Sequence, residues 1–141
     1  QTMARRWLYD ALDLIESGRV VVVDYALPSF PAPANHKWLR TYRGHGPGES
    51  PLVEPGSQDI TTDVDLKQIS SVRIPDSIQF QHEWLQSLGI SDFVEEGKRV
   101  WFENASNPNV EALAARSRAT EAEALLDPNG LGGFTVIEWK I

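Results

Sequence analysis

Gly18 to Ala26 reads GRVVVVDYA, and the four consecutive valines Val20 to Val23 decide the fold class. A valine run without polar alternation predicts a strand covered on both faces, as in a parallel sheet. Full burial of each valine is worth roughly 1.5–3 kcal/mol before entropy is subtracted, so the strand is expected to be central. Asp24 and Tyr25 stand at its carboxyl end, where open α/β sheets place their ligands. A strand-terminal Asp also caps neighbouring turns, and the residues alone leave both readings open.

Upstream, Trp7, Leu8, Ala11, Leu12 and Ile15 recur at helical spacing, with Thr2 as a candidate cap and Gly18 placed to end the helix. Downstream, Leu27 to Ala34 (LPSFPAPA) reads as a stiffened surface loop or a polyproline ligand. Trp38 to Asp65 follows, a long polar stretch of Arg, Tyr, His, Asp and Thr between glycines and prolines. Ordering such a loop costs conformational entropy, so compact domains keep one mainly when it has a function. Within it Trp38 to Tyr42 suits a short strand or turn, and Gly44 to Pro55 reads as irregular. Asp59, Thr61, Asp63 and Asp65 alternate with other residues, as an extended segment with one acidic face does. Turn and capping roles for Asp59 and Asp65 are the alternative.

Further on, Val72 to Ile74 reads as a short strand stopped by Pro75. Phe80, Trp84, Leu85 and Leu88 predict a second helix ended by Gly89, and Ser91 or Asp92 starts a third whose middle Gly97 weakens. Asn107-Pro108 signals a fourth helix through Leu126, with Glu111, Arg116, Arg118, Glu121 and Glu123 on a solvated face. Asp127 to Gly130 makes a turn, and Phe134 to Ile141 (FTVIEWKI) a strand.

Composition narrows the function. The chain has 141 residues, 41% of them hydrophobic, which is enough for one core. A net charge of -7 argues against nucleic-acid binding, which needs clustered Lys and Arg. The sequence has no cysteine, which suits a reducing cytoplasm and excludes thiolate chemistry. No apolar run approaches the roughly 20 residues of a membrane-spanning helix. Asp10, Asp13 and Glu16 rule out a signal peptide behind Arg5-Arg6. Because Gln1 is not an initiator methionine and helical periodicity starts almost at once, the chain is expected to be cut from something longer.

Several motifs fail on their mechanics. Gly44-His45-Gly46-Pro47-Gly48 resembles a phosphate or cofactor cradle, but such a cradle needs a strand before it and a helix N-terminus after it. Pro47 removes an amide and Ser50-Pro51 opposes a helix there. Leu131-Gly132-Gly133 leads into a strand and is a turn. His36, His45 and His82 lack metal-ligand spacing, so no metal is expected. His45, beside Tyr42 and Arg43, is either a functional group or a structural hydrogen-bond partner for the loop. Hydrolase and phosphoryl-transfer signatures are absent.

GRVVVVDYA, LRTYRGH (Leu39 to His45), PGSQDITTDVD (Pro55 to Asp65), QFQHEWLQSLGI (Gln79 to Ile90) and DPNGLGGFTVIEW (Asp127 to Trp139) occur in an order that resembles MidA-like proteins. These are S-adenosylmethionine-dependent methyltransferases related to the mitochondrial protein-arginine methyltransferase that assists complex I assembly. Ala26 and Leu66 depart from the family's usual Gly and Phe, and Lys67 to Gln79 looks shorter. The resemblance implies an α/β fold, the C-terminal part of a Rossmann-like class I methyltransferase: its fifth to seventh strands, helices and a family-specific insertion loop at 27–65. It implies that the cofactor, S-adenosyl-L-methionine, is bound mainly by an N-terminal half absent from residues 1–141. This chain alone is then expected to be inactive. The acceptor it implies is an arginine side chain on a protein, in the cytoplasm, with no membrane partner.

For guanidinium chemistry the resemblance puts Asp24, Asp59 and Asp65 as orienting or proton-accepting carboxylates. Tyr25, Tyr42 and Thr61 would shape the methyl-transfer pocket. Arg40, Arg43 and His45 would bind an acidic group of substrate or cofactor. An open strand edge would pair with another copy or with the protein's own N-terminal half. The competing class is a non-catalytic interaction or assembly module that docks through Trp38 to Asp65.

Overall fold

The computed structural model describes residues 1–28 and 32–141. The polyproline reading of Leu27 to Ala34 turns on Ser29 to Pro31, which lie outside the described residues. The chain is mixed α/β and divides into two units: Gln1–Val20, Asp24–Pro75 and Trp139–Ile141 in the first, Val21–Val23 and Asp76–Glu138 in the second.

The first unit begins with α1 (Thr2–Asp13), for which Gln1 is the N-cap and Thr2 already helical. Of the apolar stripe expected here, Leu8 is buried, whereas Trp7 is 58% exposed. Neighbours on a helix point about 100° apart, so they do not both face one core. Strand β1 (Arg19–Asp24) leads to the short β2 (Ala26–Leu27). The stretch read as a polar loop then folds largely as a small antiparallel sheet: β3 (Leu39–Arg43) lies between β4 (Gly46–Pro47) and β5 (Asp59–Thr62). Gly44, at φ 60°, supplies without a Cβ clash the left-handed backbone of the two-residue β3–β4 turn. Gly48 fits because a Cβ there would lie 3.0 Å from Thr41 Cβ. The glycines that mimic a cofactor cradle are therefore hairpin glycines.

From β5 the chain passes into β6 (Val64–Asp65), which pairs in parallel with β2, Ala26 opposite Val64. Helix α2 (Leu66–Ser70) follows, its N–H of Gln68 capped by Asp65 at 3.1 Å. The strand expected at Val72 to Ile74 does not form. Ser71 and Val72 instead donate backward to Gln68 and Ile69 as the end of α2, and pairing starts only after Pro75, at Ser77.

In the second unit, β7 (Ser77–Phe80) pairs antiparallel with β8 (Thr135–Lys140), Ile78 opposite Ile137. The strand order is β1-β8-β7, so β8 is central and β1 is at the edge. This corrects the two-face burial expected of the valines: Val21 and Val23 are 39% and 44% exposed, while Val136 and Ile137 are fully buried. Gly18 and Ile141, both in the first unit, exchange two backbone hydrogen bonds of 3.1 and 3.0 Å. That reciprocal exchange is an antiparallel pattern, not the parallel one expected. β-branched content specifies a strand but not its neighbours, and Glu138, 5% exposed, disguises the truly central one.

Helices α3 (Gln81–Ser87), α4 (Ile90–Asn104) and α5 (Val110–Leu126) complete the second unit. Gly89, at φ 86°, makes the turn between α3 and α4. Asn109, not Asn107, caps α5, accepting from Ala112 N at 2.8 Å. Ala112, Ala115, Ala119 and Ala122 form its buried stripe, and Gly97 faces it so closely that a Cβ would sit 2.8 Å from Ala115 O. Gly97 is thus a packing requirement rather than a weak point of α4. No helix among the described residues is long and apolar enough to cross a membrane.

Candidate functional site

The carboxyl end of β1 is where distant parts of the first unit meet. Asp24 Oδ1 accepts from Tyr25 N–H at 2.7 Å, and Tyr25 O accepts from Val64 N–H at 2.8 Å. On the other side, Trp38 O accepts from Asp63 N–H at 2.9 Å. Residues 24–27, 36–40 and 63–65 are thereby held side by side, although nothing in their spacing announces it.

Asp63 is the centre of this junction. Its side chain is 2% exposed, and an isolated carboxylate so placed would be very costly to ionise. Two side chains face it, and the charge of the Arg40 guanidinium compensates. His36 Nε2 donates to Oδ2 at 2.5 Å, and Arg40 Nη1 lies 2.7 Å from Oδ1. The arginine contact is mainly coulombic, because Nη1 directs a hydrogen bond to Lys37 O at 3.0 Å instead. The guanidinium carbon of Arg40 also sits 4.5 Å from the centre of the Tyr25 ring, a cation–π stack.

Two open grooves adjoin the junction. One, about 470 Å³, is lined by Asp24, Thr62, Val64 and the first residues of α1; the other, about 260 Å³, by Gln1, Trp38, Thr62 and Gln68. Gln1 stitches their floor, donating to Asp63 O at 2.6 Å and accepting from Asp65 N–H at 2.9 Å.

The structure therefore gathers Asp24, Tyr25 and Arg40 from the sequence-derived candidates. Thr61 stands opposite Arg40 in the β3–β5 register and is exposed. Tyr42 stands opposite Asp59, both exposed, and Arg43 is engaged by Glu54 at 2.6 Å and Ser57 at 2.7 Å. His45 is exposed at the hairpin turn. Asp65 is buried, and Gln68 occupies both its oxygens, at 3.1 and 2.8 Å, which is the capping role left open above. Asp63 and His36 are what the sequence reading missed. The alternation at 59–65 contained Asp63, but its burial depends on pairing with a histidine 27 residues earlier. Among the described residues no group of three or more His, Asp or Glu side chains is placed to hold a metal.

Residues 1–84 match the family described as "Putative S-adenosyl-L-methionine-dependent methyltransferase". The chain belongs to this family. No curated protein matches it. Two crystal structures from Burkholderia thailandensis resemble it, each at 21% identity over 97% of this chain with a TM-score of 0.72. One is an uncharacterized superfamily protein; the other is described as a "likely methyl transferase" and is bound to S-adenosyl-homocysteine. At that identity the likeness is one of fold. This chain spans about a third of their length, 36% and 35%.

Proposed function

We propose that this chain forms the acceptor side of an S-adenosyl-L-methionine-dependent methyltransferase, the C-terminal part of a MidA-like Rossmann fold, and that the intact protein methylates arginine side chains of proteins in the cytoplasm. The observation that carries the reading is the position of Asp24: a carboxylate at the end of a strand, on a groove, beside the Tyr25–Arg40–Asp63 junction. The strand order β1-β8-β7 with antiparallel β7 and β8 supports it, being what the last three strands of such a sheet would give.

The described residues do not fit the adenosyl group. A cradle of that kind needs a glycine-rich turn from strand into helix, so that amides point at the ligand. Here β6 runs into α2, and β7 into α3, with no glycine between them. Gly44 and Gly46 belong to a hairpin. On this reading the methyl donor is bound mainly by residues outside this chain, and the chemistry assigned here is limited to the acceptor.

An arginine guanidinium stays protonated in water, so its attack on a methyl group requires orientation and a late proton acceptor. Of the three candidate carboxylates, Asp65 is used by its helix and Asp59 stands on the exposed face of β5. Asp24 is the group that pairs with the acceptor and takes its proton, while Thr62 and Tyr25 bound the approach. Such catalysis is positioning plus electrostatics. The test is Asp24→Asn in the intact protein, with labelled donor and an arginine-containing protein acceptor. Turnover falls about 100-fold with donor affinity unchanged, as loss of a general base does; turnover within twofold of wild type refutes the assignment.

A further inference from the structure

The Asp63 carboxylate has no place in the chemistry above, yet it is the most buried charged group of the first unit and is contacted by His36 and by Arg40, which stacks on the Tyr25 ring next to Asp24. We infer that Asp63 is a positioning residue for methyl transfer: through Arg40 it fixes the Tyr25 ring beside Asp24, and through His36 it fixes the chain that enters β3.

Arg40 alone among these groups is permanently charged, so it balances Asp63 whatever the state of His36. Arg40 is then held at both ends, its Nη1 by Asp63 at 2.7 Å and Lys37 O at 3.0 Å, and its planar face by Tyr25 at 4.5 Å. A guanidinium clamped in this way restricts the ring it covers. Tyr25 follows Asp24 directly and shares a hydrogen bond with it, so the restriction extends to the groove. A carboxylate used merely for stability would be served as well by an apolar side chain of similar volume. The geometry here instead aims the Arg40 guanidinium and the His36 ring at one locus. Lys37 is the other charged residue nearby in sequence; its carbonyl, not its ammonium, makes the contact with Arg40.

The proposal rests on the methyltransferase reading for its kinetic arm and stands apart from it in the structural one. In this 141-residue chain, NMR reads the ring-current displacement that Tyr25 imposes on the Arg40 side-chain protons. Asp63→Asn, which keeps shape and one acceptor oxygen, is expected to abolish at least about half of it. Retention of the full displacement overturns the proposal even if the protein proves to transfer no methyl groups. In the intact enzyme, Asp63→Asn and Arg40→Lys are each expected to lower kcat about tenfold or more with donor Kd unchanged, and the double variant is expected to lose no more than the worse single one. Arg40→Lys preserves the charge facing Asp63 and loses the planar stack on Tyr25 and the fork that also reaches Lys37 O, so an unchanged kcat in it overturns the proposal even if Asp63→Asn does not fold. If kcat and donor affinity fall together in proportion to the folded fraction, Asp63 serves stability alone; if kcat is unchanged, the positioning role is wrong.

Discussion

A Cβ added at Gly97 would lie 2.8 Å from the carbonyl oxygen of Ala115, so α4 and α5 approach as closely as a glycine and an alanine allow. The four alanines of α5 continue this seam, all of them buried. Gly97→Ala gains about 1 kcal/mol of helix propensity, but overpacking against backbone costs about 1–3 kcal/mol. The expected net result is a destabilisation of about 1 kcal/mol, read by thermal denaturation. A raised Tm would mean the helices move apart at no cost.

Asp63→Ala leaves Arg40 beside a vacated pocket and removes the partner of His36. Breaking a buried pair by deleting one member costs about 3 kcal/mol. Chemical denaturation of the variant should show a loss of that size, insensitive to moderate salt, because the carboxylate is shielded from solvent. A loss under about 0.5 kcal/mol would place Asp63 in a solvated setting.

Asp65→Ala removes the cap of α2, with an expected cost of about 1–2 kcal/mol, whereas Asp65→Asn retains an acceptor oxygen and costs less. With the proposed activity as readout, the same comparison in the intact protein separates capping from chemistry. Turnover should follow the folded fraction in both variants. A turnover collapse in Asp65→Asn at full stability would return Asp65 to the catalytic set.

On the exposed face of α4, Arg99 bonds Glu96 at 2.9 and 2.7 Å and Glu103 at 2.7 Å. The hydrogen bond from Arg99 holds the Glu96 carboxyl below its ordinary 4.5, and the two glutamates raise the arginine further. A depressed carboxylate stabilises the fold above its unfolded-state value and loses that contribution as pH falls through the folded one. The difference in Tm between wild type and Arg99→Gln should therefore be present at neutral pH and vanish in acid below the glutamate range. It should also shrink in high salt, since these side chains are fully solvated. A difference that persists in acid would assign the effect to packing of the arginine stem.

Local signals were legible where one residue type settles the matter. Helical periodicity marks α1, α3 and α4 to within a few residues, the Asn107-Pro108 start signal marks α5, and the aromatic and β-branched run at 134–141 marks β8. Neighbours were not legible. Val20 to Val23 specify a strand, but the sheet's centre went to β8, whose Glu138 argues against burial when read alone. The site followed the same division. Asp24, Tyr25 and Arg40 could be picked out by their position after a strand or in a polar stretch. The His36–Asp63 pair could not, because it exists only once β2 pairs with β6 and Trp38 O takes the Asp63 amide. Gly97 follows the same division: propensity penalises it, and only the facing helix explains it.

On the proposed reading this chain carries the acceptor side of a methyltransferase and not the cradle for its methyl donor. Isothermal titration of the 141-residue chain with S-adenosyl-L-methionine tests this most directly. No saturable heat is expected at micromolar donor. Sub-micromolar binding by these residues alone would contradict it.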